Sequence, residues 1–206
     1  MERYLMTQSL LSAWAYQFDC FEGCEEDAQA AFLRTLRREP GEQTEAILNG
    51  ISFETGVYLA AAGLPDKPNP KWERGTKAVA DIIRGAQIQV KVSREITVDG
   101  MTFLLYGILD ALKAGTIYDV KFMNKSMGGV DVYGKYLDSA QHPAYFYLVP
   151  EASEFTYLLS DGDDLYIETY RRENTRPISA FIHEFIESIR QQGLMDIYKK
   201  HWRALA

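Results

Sequence analysis

Apolar residues recur at helical spacing through the first part of the chain. Thr7 or Ser9 could cap a first helix carrying Leu10, Leu11, Trp14 and Phe18. A second helix is predicted over Ala28 to Arg38, stopped by Pro40-Gly41, and a third from about Glu42 to Ala62. The Pro-rich stretch Leu64 to Pro70 reads as a loop, and Trp72 to Arg84 as a fourth helix ended by Gly85. The period then changes from about 3.6 to 2. In Gln87 to Val98, Ile88, Val90, Val92 and Ile96 alternate with Gln87, Gln89 and Lys91, as in a half-buried strand. Asp99-Gly100 is a hairpin signal, and Thr102 to Leu112 is apolar on both faces, as a central strand would be. Ala114-Gly115 makes another turn before a third strand, Thr116 to Phe122. A loop containing Gly128 and Gly129 leads to a helix from about Ser139 to Val149. Strands near Phe155–Leu159 and Leu165–Tyr170 follow, split by Asp161-Gly162. Pro177 opens a last amphipathic helix with Phe181, Phe185 and Ile189. The pattern is α+β: a mainly helical part over 1–85, a sheet and helix over 86–170 containing an antiparallel meander, and a C-terminal helix over 177–203, all within one domain.

Composition narrows the function classes. Of 206 residues, 47% are hydrophobic and 25% charged, ordinary values for a globular protein. Acids outnumber bases 29 to 22, a net charge of −7. That balance argues against a surface coated in nucleic acid, but not against one that holds nucleic acid locally through metal ions. Cys20 and Cys24 are too few for a disulfide framework or a four-thiolate cluster. No apolar run approaches the roughly 20 residues of a membrane span, and no signal peptide is visible, so a cytoplasmic protein without a membrane partner is expected.

Polar residues in apolar settings mark the candidate chemistry. On the third strand Asp119 and Lys121 point the same way, about 6.5–7 Å apart. If Ala114-Gly115 is a two-residue loop, Lys113 pairs with Thr116 and Asp110 falls opposite Asp119, with Cβ atoms about 4.5–5.5 Å apart. Two such charges on a buried face need a cation or a proton between them. The plainer alternative is an Asp119–Lys121 surface ion pair beside a strand-end Asp110. Ile47, Ile51, Glu54 and Tyr58 keep 3-4 spacing, which sets Glu54 in an apolar stripe; Gly50, one turn earlier, leaves room for a backbone or a ligand. Gln141 and Tyr145 share a helix face; a structural amide bonded to a phenol is the commoner meaning of such a pair.

Taken in order, Gly50-Ile51-Ser52-Phe53-Glu54, Gly107-Ile108-Leu109-Asp110, Asp119-Val120-Lys121 and Gln141-His142-Pro143-Ala144-Tyr145 resemble the motifs of the PD-(D/E)XK nuclease superfamily, in its RecB-like and phage-type exonuclease branch. The resemblance spans roughly Gly50 to Tyr170. It includes Asn124-Lys125-Ser126 after the triplet, and the opening Thr7-Gln8-Ser9-Leu10-Leu11 looks like the start of RecB-like domains. Leu109 and Asp119 are departures that such motifs tolerate. The resemblance implies a restriction-endonuclease-like core and a Mg²⁺- or Mn²⁺-dependent DNA exonuclease used in phage or prophage recombination or end processing. It assigns Asp110 and Asp119 as metal ligands, joined by the carbonyl of Val120, with Glu54 at a second or outer metal. Lys121 would orient or deprotonate the attacking water, and Gln141 and Tyr145 would grip the DNA backbone or support the ligands. It further implies DNA as partner and leaves open a homo-oligomer and a single-strand annealing or recombination protein. A structure-selective endonuclease and a non-catalytic α+β binding module are the rivals.

The remaining polar residues are expected to be bland. His142, His183 and His201 show no ligand spacing and read as surface or capping histidines. Arg171, Arg172 and Arg176 read as solvated, and Asp161, Asp163 and Asp164 as a turn. Tyr133 or Tyr136 could stack on an unpaired base.

Overall fold

A computed structural model describes residues 2–64, 69–125, 127 and 133–204. Pro65 to Pro68 of the expected loop, and Ser126, Gly128 and Gly129, lie outside the described residues. The first element is a strand that the sequence reading did not include, β1 (Arg3–Thr7), just ahead of the expected first helix. Its alternation is complete, Tyr4 and Met6 buried between less buried Arg3, Leu5 and Thr7, but five residues leading into a helix are a short signal. Thr7 ends the strand and caps α1 (Gln8–Ala15), its Oγ1 accepting the N–H of Leu10 at 3.3 Å. Helix α2 (Glu25–Leu36) has Glu25, Glu26 and Asp27 in its first turn, which complement the N-terminal dipole. Thr44 caps α3 (Glu45–Ala61), and α4 (Glu73–Ile83) follows a short 3₁₀ turn.

Strands β2 (Gln87–Val98), β3 (Met101–Lys113) and β4 (Thr116–Phe122) form the expected meander. Both hairpins turn on two residues at positive φ, Asp99-Gly100 (50° and 73°) and Ala114-Gly115 (49° and 81°), the primed geometry that matches strand twist. Lys113 does pair with Thr116. After α5 (Gln141–Leu148), β5 (Glu154–Ser160) runs parallel to β4 and β6 (Leu165–Arg171) antiparallel to β5. The helix expected over 177–203 is two, α6 (Ile178–Gln191) and α7 (Met195–His201). Gly193, at φ 69°, separates them, with the N–H of Leu194 returned to the carbonyl of Ile189.

The result is a mixed six-stranded open sheet flanked, among the described residues, by seven helices, an α+β arrangement consistent with a restriction-endonuclease-like core. One face packs on α1, α2, α5, α6 and α7 through Leu10, Phe32, Tyr145, Phe185 and Tyr198. The other packs on α3 and α4 through Phe53, Val57, Val79 and Ile83. Among the described residues no helix is long and apolar enough to cross a membrane.

One strand organises the centre. Along one edge β3 is covered by β2; on its other edge it pairs with β1 as far as Tyr106 and with β4 only from Ala111. Residues 107–110 of β3 therefore face a fork between β1 and β4. Gly107 sits there because the Tyr145 ring lies over it: a Cβ at this position would come 2.4 Å from Tyr145 Cε1.

Candidate active site

The site is built at that fork. The β3–β4 ladder ends at the Ala111–Tyr118 pair, one rung before Asp110 would face Asp119. In place of the next rung, Asp110 Oδ2 accepts the backbone N–H of Val120 at 2.8 Å. The strands part because a side chain has taken the donor that the next rung would use. Asp119 is buried. Its Oδ1 accepts a hydrogen bond from Nε2 of Gln141, at the start of α5. Lys121 Nζ lies 2.8 Å from Asp119 Oδ2, an ion pair, and the buried Oδ2 has no other polar partner among the described residues.

Helix α3 closes the fork from the opposite face. The expected apolar stripe is only half realised: Phe53, Val57 and Ala61 are buried, whereas Ile47 and Ile51 are exposed. Half-buried Glu54 and Tyr58 sit where the helix dips toward the sheet. The Tyr58 hydroxyl is buried beside Asp110, and burial, then the Asp110 charge, pushes it up from its ordinary value. No backbone approaches Gly50, where an added Cβ would meet nothing within 4 Å.

The electrostatics follow from crowding. Burial, then the neighbouring Asp119 charge, pushes the Asp110 carboxyl above its ordinary range. Burial raises the Glu54 carboxyl too, with Lys121 acting against it. For Lys121 burial disfavours the ammonium, but the charges of Asp119 and Asp110 outweigh it and hold the group up. Three acids and one lysine thus feel one another. All the donors are hard oxygens, and the buried Asp119 Oδ2 meets only the Lys121 ammonium among the described residues, a cation in the place a metal ion would take, which suits Mg²⁺ or Mn²⁺. Among the described residues, though, no three His, Cys, Asp or Glu side chains come close enough to hold one ion. The structure brings Asp110, Asp119, Val120, Lys121 and Gln141 into contact, with Glu54 within electrostatic reach of Asp110, Asp119 and Lys121.

Tyr145 is buried and donates its hydroxyl to the Ile108 carbonyl at 2.9 Å, across the fork. Sequence reasoning missed Gln89, whose Nε2 donates to Asp110 Oδ1 at 3.3 Å. It read as one more polar position in an alternating strand. Tyr136, a candidate for base stacking, lies stacked on Tyr157 at 4.1 Å; Tyr133 is exposed. Arg172 is not simply solvated: its guanidinium donates to the carbonyls of Val149 and Ala152. Arg176 pairs with Glu184. Asp161 accepts the backbone N–H groups of Met127, Asp163 and Asp164, so the turn is structural.

His142 corrects an expectation. It is buried rather than at the surface, because its neighbours on α5 face the core; it stacks on Tyr170 at 4.2 Å and meets the Tyr157 hydroxyl at 3.3 Å. Burial pushes it from 6.5 down to about 4. The unfolded chain protonates near 6.5 while the folded chain resists until about 4, so stability present above 6.5 is lost as the pH falls through that window. His142→Phe is expected to flatten this part of the stability profile, by up to about 3 kcal/mol between pH 7.5 and 4.5, as read from denaturant midpoints.

No family model matches the chain, and no curated protein matches it. Among solved structures, the chain is similar to the crystal structure of SSO0001, with a TM-score of 0.52 and 16% identity over 93% of this chain and 78% of that one. A second similarity is to LHK-Exo in complex with dAMP, with a TM-score of 0.49 and 13% identity over 94% of this chain and 93% of that one. The likeness to SSO0001 bears on the fold alone.

Proposed function

We propose that the chain, folded as one domain, is a divalent-metal-dependent deoxyribonuclease acting on DNA ends. The observation that carries the reading is the fork itself: Asp110 and Asp119 are set together beside Lys121, whose ammonium is the partner of the buried Asp119 Oδ2. A surface ion pair would not need the buried Gln141 amide on the other oxygen or a second carboxylate alongside. Asp110, Asp119 and the Val120 carbonyl would hold the ion, with Glu54 available to an outer one. Bound there, Mg²⁺ or Mn²⁺ would supply charge neutralisation on the phosphate and activation of water.

The chain's own groups complete the site. The Lys121 ammonium would orient the attacking water and donate to a phosphate oxygen; as the water oxygen bonds to phosphorus and gives up a proton to solvent, the P–O bond to the leaving oxygen breaks and that oxygen takes up a proton from solvent. Gln141 acts through Asp119 by fixing one of its oxygens. Tyr145 acts through β3, tying Ile108 to α5. A polar cleft of about 490 Å³ opens one residue beyond Lys121, at the carboxyl ends of the parallel strands β4 and β5, with Trp72, Phe122, Asn49, Asn124, Lys71 and Lys125 among its walls. Such crevices are where open sheets receive ligands; Glu45, Asp161, Asp163 and Asp164 also line this one, so a DNA strand passing through it toward the fork would need cations to offset them.

The test is incubation of the protein with end-labelled linear duplex and closed circular DNA, with and without Mg²⁺ or Mn²⁺. Metal-dependent loss of the linear DNA alone is expected. Cleavage of the circle would make the enzyme an endonuclease, and no cleavage of either would favour a binding module.

A further inference from the structure

We propose that Gln89 is a positioning residue for Asp110, and that the strained backbone at Gln89 is what turns Asp110 into the fork. The inference rests on the nuclease reading of the site. Four residues other than glycine have positive φ among the described residues: Arg38, Gln89, Asp99 and Ala114. Asp99 and Ala114 lie in hairpin turns and Arg38 follows a helix end, where left-handed backbone is ordinary. Gln89, at φ 54°, lies inside a strand, where it is not. The β2–β3 ladder pairs Ile88 with Ala111 and Val90 with Leu109, and omits only the Gln89–Asp110 pair between them.

The omission changes which way both strands face. Residues two apart on a regular strand share a side. Yet Ile88 packs with the α3–α4 core and Val90 with the opposite core; on β3, Ala111 and Leu109 divide in the same manner. The faces therefore exchange at Gln89 and Asp110. Asp110 is released from the pleat, so that Oδ2 can accept from Val120 on β4 while Oδ1 accepts from the Gln89 amide. Held on both oxygens, the carboxylate has a set orientation before any ion arrives. Backbone strain at such a point persists when the surroundings enforce it, and it concentrates at functional sites.

Two variants separate the backbone from the amide. Gln89→Gly keeps the left-handed turn at no steric cost and deletes the amide. It is expected to melt at the wild-type temperature or higher, to bind Mn²⁺ about 10-fold more weakly by calorimetry, and to lose kcat by a similar factor with KM for DNA unchanged. Gln89→Val opposes positive φ and is expected to melt lower and to bind Mn²⁺ at least as weakly as the glycine variant. Wild-type Mn²⁺ affinity and kcat in Gln89→Gly would overturn the inference and leave the nuclease reading intact. A wild-type protein that neither binds Mn²⁺ nor cuts DNA would overturn both.

Discussion

Lys121→Ala is expected to lower metal-dependent DNA cleavage by about 10³-fold while leaving Mn²⁺ affinity unchanged or higher. Lys121 Nζ and a bound cation would both claim Asp119 Oδ2, the buried oxygen now paired with the ammonium. Removing the ammonium frees that oxygen for the metal, and removes the group that orients water and meets the phosphate. Without metal the variant should be less stable than the wild type, by about 1–2 kcal/mol, because the Asp119 charge loses its counter-ion in a site where a third of the Lys121 side chain still reaches solvent. Saturating Mn²⁺ should therefore raise its melting temperature more than it raises the wild type's. The measurements are initial rates on end-labelled duplex, calorimetric Mn²⁺ titration and thermal melts with and without metal. A variant that cuts at a tenth of the wild-type rate or faster would remove Lys121 from the chemistry.

What was legible before any coordinates depended on whether a signal was local. The Ala114-Gly115 turn fixes the pairing of Lys113 with Thr116, and two-residue counting from there brings Asp110 to the level of Asp119. Asp119 and Lys121 share a side because i and i+2 on a regular strand always do. The parallel pairing of β1 with β3 was not legible, since it joins residues about a hundred positions apart and rests on a five-residue strand. The fork went unseen with it, because it lies between the end of the β3–β4 ladder at Ala111 and the β1 pairing that stops at Tyr106.

The Glu54 stripe shows a different limit. Spacing places Ile47, Ile51, Glu54 and Tyr58 on one side of α3, but spacing says nothing about how far the sheet extends beneath the helix. The N-terminal half of α3 carries Ile47, Leu48 and Ile51 exposed, and burial begins at Phe53. Gln89 marks a third. In an alternating strand it scores as an ordinary polar position, and only the exchange of faces between Ile88 and Val90 reveals it. A period of two assumes regular pleating, and the pleat fails at the residue facing the candidate ligand Asp110.

Asp110→Asn is expected to move activity and stability in opposite directions. The folded protein raises the Asp110 carboxyl through burial and the adjacent Asp119 charge. A carboxyl held up in this way contributes stability that is complete below its unfolded value of 3.8 and lost as the pH rises above it. At pH 7.5 without metal the wild type therefore bears the cost of crowding a second carboxylate against Asp119, and asparagine removes it. An asparagine carbonyl can still accept the Val120 N–H, so the end of the β3–β4 ladder should survive. The metal-free variant should be about 1–3 kcal/mol more stable than the wild type at pH 7.5, with the difference shrinking toward pH 4. Its cleavage rate should fall by at least about 100-fold, because one of two anionic ligands has become neutral. Denaturant midpoints across that pH range, paired with rates in Mn²⁺, measure both arms. A variant destabilised at pH 7.5 would mean that the Asp110 charge is already compensated within the folded chain, by Lys121 or by the Val120 and Gln89 donors. The fork would then hold its carboxylates for structure, and the case for a cation between them would fail.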